Sequence, residues 1–130
     1  MSTTTPSEER AEHWKHDPDP QDFPAAAQYL SLLVRPRAAS RLEAALRARE
    51  RLDYYKAKDI LRASGLPLLP ADDAEVAKDL AKVAAGTRLS PVLLVRGIPL
   101  WVADGYHRIC ASYHLSENAA IPCRIVRRDR

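Results

Sequence analysis

The sequence predicts an α+β fold in which a small mixed sheet is covered by helices and preceded by an N-terminal helical extension. Apolar residues recur at helical spacing in several segments, whereas short apolar runs near the C-terminus have the length of buried strands. A length of 130 residues suits one domain. We therefore divide the chain into a disordered or extended tail (1–22), a helical extension (23–51) and an α+β domain (52–130).

Composition excludes several classes of protein. Hydrophobic residues make up 46% of the chain, which argues against wholesale disorder, and no apolar stretch approaches the roughly 18 residues that cross a bilayer. The two cysteines are too few for a disulfide scaffold, so we expect a cytoplasmic protein with reduced thiols and no membrane partner. A net charge of +3 does not require a nucleic-acid partner.

The tail and the first helix are separated by a change in composition. The tail carries few large apolar side chains and two Asp-Pro pairs, so it is expected to bury little surface. A first helix is predicted to begin at Pro24 with Asp22 as its cap, because proline suits the first helical position. Pro36 is expected to interrupt this helix, whose apolar side is assigned to Tyr29, Leu32 and Leu33.

A second helix is predicted from Pro36 to Arg51, with Leu42, Ala45 and Leu46 on one face. Its other faces carry Arg37, Arg41, Arg47 and Arg51. We interpret these arginines as a solvated surface paired with glutamates, and a footprint on a nucleic-acid backbone is the alternative. DNA binding is not favoured, because no aromatic residues are interleaved with them. The two helices are instead expected to contact a protein partner or a second copy of the chain.

The α+β domain begins with a weakly alternating strand at residues 52–58. A single helical turn capped by Asp59 is expected to stop at Gly65. A longer helix is predicted to follow Asp72 or Asp73 and to end at Gly86, since Asp favours helix starts and Gly favours helix ends.

The last third of the chain has the clearest pattern. Pro91–Val95 and Leu100–Ala103 are predicted to form two buried strands joined by a turn, and a helix is predicted from about Tyr106 to Leu115. Ile121–Val126 closes the domain as a strand. Because proline cannot donate to a ladder, Pro122 is expected to place this strand at an edge or a terminal position.

The segment from Asp104 to Arg108 carries the strongest chemical pattern. Gly105 follows a buried strand and opens a helix, where free backbone N–H groups and the helix dipole favour an anion such as phosphate. Arg108 suits bidentate contact with phosphate oxygens, and His107 suits hydrogen bonding or proton transfer near neutral pH. Asp104 suits a magnesium ion or a sugar hydroxyl.

Each of these side chains also has a structural interpretation. Asp104 can cap the helix, His107 can lie on the surface, and Arg108 can pair locally. A zinc site is not favoured, because the paired ligand spacing typical of zinc is absent, and a disulfide is not favoured in a reducing compartment. The residues considered for these two alternatives are His107, Cys110, His114 and Cys123.

Residues 56–126 resemble the ParB/sulfiredoxin superfamily in the order of their elements and in one motif. ParB-type domains carry a Gly-x-x-Arg box with a downstream alanine, which Gly105, Arg108 and Ala111 match. Sulfiredoxins carry Gly-Cys-His-Arg, which Gly105, His107 and Arg108 match. The resemblance covers a little over half of the chain.

The resemblance implies a nucleotide-binding domain, with ATP or CTP as the ligand, Mg²⁺ as an accompanying ion and the phosphates at the start of the Gly105 helix. Tyr106 stands where sulfiredoxins have their nucleophilic cysteine and where ParB proteins have a glutamate, so neither sulfinate chemistry nor CTP hydrolysis by that route is expected. No helix-turn-helix domain is expected after Val126. The implied binding residues are Asp104 (also as a metal ligand), Gly105, Tyr106, His107, Arg108 and Lys58.

Some members of the superfamily are small-molecule kinases with an Asp-Gly-x-x-Arg box, which Asp104, Gly105 and Arg108 match. A kinase needs a catalytic base. Glu75 and Asp73, at the start of the preceding helix, are the candidates, although both also suit helix capping. Turnover stays open: the chain is either a small phosphotransferase or nucleotide hydrolase, or a non-catalytic protein-interaction or DNA-associated regulatory module.

Overall fold

The computed structural model describes residues 13–129, in which five helices surround a four-stranded sheet. This arrangement confirms the predicted α+β class. The elements are, in chain order, α1 (Asp22–Leu30), α2 (Pro36–Ala48), β1 (Asp53–Lys56), α3 (Ala57–Ser64), α4 (Ala74–Ala84), β2 (Val92–Arg96), β3 (Trp101–Asp104), α5 (Tyr106–Leu115) and β4 (Ala120–Arg127).

The sheet is mixed, with the strand order β1-β4-β2-β3. β2 and β3 form the predicted antiparallel hairpin, and β4 runs parallel to β2 and antiparallel to β1. α5 is the connection that leads from the hairpin back to β4. The end of β3 and the start of α5 therefore meet at one corner of the sheet, where the chemical motif lies.

The predicted edge position of the closing strand is wrong, because β4 lies between β1 and β2. Ala57 N donates to Ala119 O, so these two residues form a hydrogen-bonded pair of the antiparallel ladder. Such pairs recur at every second residue. The odd-numbered residues of β4 therefore direct their backbone N–H and C=O groups toward β1. Pro122 is even-numbered, so its nitrogen does not face β1. It also precedes the first residue of β4 that pairs with β2, which is Cys123 opposite Val92. An interior proline is tolerated because it removes no ladder hydrogen bond.

The core has two parts, one on each face of the sheet. One face packs against α3, α4 and α5, and the opposite face packs against α1 and α2. The helices predicted as an extension therefore cover a sheet face that would otherwise expose a row of apolar side chains. On that face the buried sheet residues are Leu93, Val95, Ala103 and Val126, which contact Phe23, Ala26, Leu30, Ala39, Leu42 and Leu46.

The predicted apolar side of the first helix is wrong. Tyr29, Leu32 and Leu33 are exposed, whereas the buried residues of α1 include Phe23 and Leu30. The helix begins at Asp22 and ends at Leu30, so Leu32 and Leu33 fall in the turn before α2 rather than on a continued helical face.

The tail is only partly described, since residues 1–12 lie outside the described part of the chain. The expectation that the tail buries little surface is wrong for Trp14, which is 5% exposed and joins the core beneath α4 and α5. A bridge to Leu89 holds Trp14 in place, with Lys15 N donating to Leu89 O at 2.7 Å and Leu89 N donating to His13 O at 2.9 Å.

Local signals place the other boundaries well. Gly65 ends α3 in the left-handed region at φ 71°, and the Asp73 carboxylate caps α4 by accepting from Glu75 N and Val76 N, both at 3.1 Å. α3 is longer than the single turn expected and begins at Ala57, where β1 stops. None of the helices within residues 13–129 has the length and apolar character needed to span a membrane.

Candidate functional site

Gly105 makes the change from strand to helix at the end of β3. Its φ of 108° lies in a region that L-residues rarely adopt. A Cβ at this position would lie 2.5 Å from Val92 Cγ1 and 2.8 Å from Val92 Cβ. Backbone conformation and close packing therefore both require glycine here.

Arg108, one turn into α5, directs its guanidinium into the protein. Nε donates to Ser90 O at 2.9 Å, and Nη2 donates to Pro91 O at 3.3 Å and to Asp104 Oδ2 at 3.0 Å. The side chain is 16% exposed. Arg108 thus ties the start of α5 to the segment before β2 and to the end of β3.

A second carboxylate completes this cluster. Asp22, the first residue of α1, is 7% exposed and lies 3.9 Å from Arg108 Nη2. Burial raises the pKa of Asp104, and the neighbouring Asp22 adds to this effect while Arg108 opposes it. The cluster of Asp22, Asp104 and Arg108 joins α1, β3 and α5. Sequence reasoning treated Asp22 as a cap and carried no signal for this long-range contact.

The start of α5 opens into a cavity of about 350 Å³, within the range of about 300–1,000 Å³ that is typical of small-molecule sites. No side chain caps this helix, and the same is true of α1, α2 and α3, whereas the Asp73 carboxylate occupies the start of α4. The N–H groups of a first helical turn have no intrahelical partners and carry partial positive charge. The cavity is lined by Ala25, Tyr29, Leu66, Val102, Ala103, Asp104, Gly105, Tyr106 and His107.

The aromatic wall of this cavity is held by the loop between α3 and α4. The Tyr106 hydroxyl donates to Pro67 O, and the rings of Tyr106 and His107 lie 5.6 Å apart between centroids. Farther along α5, His114 Nε2 lies 2.7 Å from Leu69 O. The loop thus follows α5 and fixes the side of the cavity that Tyr106 forms.

The structure does not bring all predicted site residues to the cavity. Asp73 is used as the α4 cap, and Glu75 lies 3.5 Å from Lys78 in an exposed ion pair. Lys58 pairs with Glu117 at 3.9 Å, beyond the C-terminal end of α5. A helix of ten residues is about 15 Å long, so Lys58 lies near the end of α5 that is opposite Gly105.

A second, polar cavity of about 210 Å³ lies on the other side of Arg108. Its lining includes Asp22, Lys82 and Asp79, and Asp79 is 8% exposed with Lys82 Nζ 3.9 Å away. Burial raises the pKa of Asp79, although Lys82, Arg108 and His107 all favour its charged form. No local feature of the sequence marks Asp79 as buried, because an acidic residue within a helix is usually solvated and its burial depends on the layers packed around it.

Asp79→Asn tests this buried charge. The folded state of the wild type holds the Asp79 proton to higher pH than the unfolded state does, so this group makes the wild type less stable as pH rises through its raised pKa. Asparagine does not titrate. We therefore subtract the free energy of unfolding of the wild type from that of the variant, both measured by urea unfolding. This difference is expected to increase between pH 4 and pH 7. The exposed Asp72→Asn variant is the control for loss of one charge, and a difference that falls with pH would contradict the assignment.

The residues considered for a metal site or a disulfide can be located in the structure. Within residues 13–129, no group of three or more His, Cys, Asp or Glu side chains is arranged to hold a metal ion. The Asp104 carboxylate, predicted as a magnesium ligand, accepts a hydrogen bond from Arg108 Nη2. Cys110 and Cys123 are both free and both buried, and burial raises the pKa of each thiol.

Comparisons of the chain with protein-family models, with curated proteins and with solved structures find no match in any of the three. Any assignment of function therefore depends on the geometry of the site and on the motif residues themselves.

Proposed function

We propose that this protein binds a nucleotide or another phosphorylated small molecule, with the phosphates against the first turn of α5. The observation that carries the proposal is the uncapped start of α5, which opens into a cavity of about 350 Å³. Backbone N–H groups at a helix start bind phosphate well, because they donate hydrogen bonds and the helix dipole adds positive potential.

The lining of the cavity fits a ligand that has both a phosphate and a ring. Tyr29, Tyr106 and His107 supply aromatic surface beside the helix start. Planar bases stack on such rings, whereas the N–H groups of Tyr106 and His107 meet the anionic part. The resemblance of the Gly105, His107 and Arg108 motif to ParB and sulfiredoxin domains supports ATP or CTP as the first ligands to examine, with and without Mg²⁺.

The roles of the two charged motif residues differ in this proposal. Arg108 is a positioning residue, because its guanidinium contacts Ser90 O, Pro91 O and Asp104 rather than lining the cavity. Asp104 lines the cavity and suits a sugar hydroxyl. Neither Asp73 nor Glu75 lines it, so the proposal concerns binding and names no catalytic base.

Titration of ¹⁵N-labelled protein with ATP, CTP and pyrophosphate, followed by amide resonances, tests the proposal. The amides of Tyr106 and His107 are expected to shift, whereas those of Glu75 and Val76 are expected to stay, since the Asp73 carboxylate already occupies them. These two capped amides are a control within the same molecule. No binding at millimolar concentrations, or shifts confined to other regions, would reject the site.

A negative charge introduced at the helix start tests the same site independently. His107→Glu is expected to weaken binding of the best ligand by about tenfold or more, because a carboxylate beside the phosphates repels them. The matched control is His16→Glu, which adds the same charge at an exposed position outside the cavity. Equal affinities for the two variants would contradict the placement of the phosphates.

A further inference from the structure

β4 is longer than the strand that covers one of its sides. β1 pairs with β4 only from Ala120 to Cys123, whereas β2 pairs with the other side from Cys123 to Arg127. In the described part of the chain, the second half of β4 therefore has no strand neighbour on the β1 side. We call this part, residues 124–127, the open edge.

The backbone groups of the open edge can be assigned from the register. Ala57 N donates to Ala119 O at 3.0 Å, one step beyond the pair of Lys56 with Ala120. Bonded pairs recur every second residue, so Ile125 and Arg127 direct their N–H and C=O groups toward the vacant side. None of the turn or loop backbone groups within residues 13–129 bonds to them. Within residues 13–129, four backbone groups are thus free to pair with another strand.

A cavity of about 470 Å³ lies where β1 would continue along this edge. The cavity extends around the edge of the sheet, because residues from both faces line it. Val126 lies on the face covered by α2. Arg96 lies on the opposite face, where it contacts the Tyr55 hydroxyl. Three of its seven lining residues are arginines and none is acidic. The lining residues are Ala45, Ala48, Arg49, Arg96, Ile125, Val126 and Arg127.

The arginines of this cavity are only partly neutralised. Arg96 has no carboxylate partner within residues 13–129, and Arg127 has only an exposed pair with Asp129 at 3.4 Å. Arg49 lies 3.4 Å from Asp53, and its buried Nε has no hydrogen-bond partner in the described part of the chain. The exposed pair of Arg127 with Asp129 is weak, so a ligand carboxylate can replace Asp129 there.

We propose that the open edge binds an acidic segment of a partner protein in extended conformation, added to β4 as a strand. Main-chain hydrogen bonds to Ile125 and Arg127 would supply affinity, and carboxylates would meet Arg49, Arg96 and Arg127. The four residues of the open edge correspond to a contact about 13 Å long. The charge of the lining selects an acidic occupant rather than an apolar one.

A neighbouring cavity suggests the pattern of that segment. It has a volume of about 220 Å³, shares Arg96 and Ile125 with the first, and has an apolar floor that includes Ile60, Leu94 and Leu100. The segment that fits both cavities therefore carries apolar side chains for this floor and acidic side chains for the arginines at its rim.

Fluorescence anisotropy of the full chain with a labelled ten-residue peptide of alternating Glu and Val tests the proposal. Binding is expected, and Arg96→Ala and Arg127→Ala are each expected to weaken it by about tenfold, the effect of removing one charge-assisted hydrogen bond. Arg37→Ala, an exposed arginine outside the cavity, is the control and should leave affinity unchanged. Arg96 and Arg127 are both exposed, and unchanged thermal unfolding of the two variants verifies folding.

Two further measurements separate strand addition from simple anion binding. A peptide of alternating Glu and Pro keeps the carboxylates but lacks half of the N–H groups, and it is expected to bind at least tenfold more weakly. The amides of Ile125 and Arg127 should gain hydrogen-exchange protection with the Glu-Val peptide. Equal binding of the two peptides, displacement by inorganic phosphate or single-stranded DNA without amide protection, or binding of a Lys-Val peptide would each overturn the proposal.

Discussion

Replacing Gly105 with alanine is expected to destabilise the protein by about 2–5 kcal/mol. Roughly 1–2 kcal/mol arises from placing a Cβ at a positive φ, here 108°. Roughly 1–3 kcal/mol more arises from overpacking, because the new Cβ would lie 2.5 Å from Val92 Cγ1. Urea unfolding followed by circular dichroism measures the change.

The chain offers two matched controls for this effect. Gly65 and Gly86 also have positive φ, 71° and 80°, but a Cβ at either position would meet nothing within 4 Å. Alanine at these sites is expected to cost only the backbone term, roughly 1–2 kcal/mol. If Gly105→Ala cost no more than the controls, the close approach of the α5 start to β2 would be incorrect.

Arg108→Met is expected to cost about 3–5 kcal/mol, the usual effect of removing one partner from a buried ion pair. The substitution leaves the Asp22 and Asp104 carboxylates buried beside each other, and it leaves Ser90 O and Pro91 O without their donor. The free energy of unfolding in urea is again the measurement.

Two variants keep this test specific. Arg62→Ala removes an exposed i, i+3 pair with Asp59 and should cost no more than about 1 kcal/mol. Adding Asp104→Asn to Arg108→Met removes one of the stranded charges, so the double variant should be more stable than the sum of the two single effects predicts. Strict additivity would indicate that Arg108 and Asp104 do not act as one cluster.

The proposed phosphate site is a consequence of that cluster. Arg108 holds Asp104 at the end of β3, and Gly105 lets the chain turn into α5 without filling the space beside Val92. The first turn of α5 is then left uncapped at the wall of a cavity. Loss of ligand binding in Gly105 or Arg108 variants would follow from loss of this geometry, which is why His107→Glu is the sharper test of binding itself.

The elements that sequence reasoning placed well are those with local causes. Asp73 caps α4 through amides two and three residues ahead, and Gly65 ends α3 through its own φ. The bounds of α5 also agree with the prediction, since Gly105 marks its start. Each of these signals acts within about one helical turn, so the neighbouring residues suffice to identify it.

The errors share a different cause. Each wrong prediction concerns a feature that depends on contacts between segments distant in sequence. These features are the exposure of Leu32 and Leu33, the burial of Trp14 and the interior position of β4. The hydrophobicity of Leu32 favours burial, but α1 has already ended and no neighbouring layer covers it. Composition and periodicity show which side chains of a segment are apolar enough to be buried. Whether those side chains are buried depends on which other elements of the fold pack against the segment.

By itself, the sequence determined the α+β class, the strand–glycine–helix motif at residues 104–108 and the helix start as the candidate anion site, because glycine conformation, capping and hydrophobic period are local properties. Only the tertiary structure decided that Arg108 faces Asp104 and Asp22 rather than the cavity, and that Asp79 is a buried carboxylate. It likewise decided that β4 extends past β1 and leaves an edge lined by arginines. Charges act through space, and the distances between them are set when α1 and α2 pack on one face of the sheet and α3, α4 and α5 on the other.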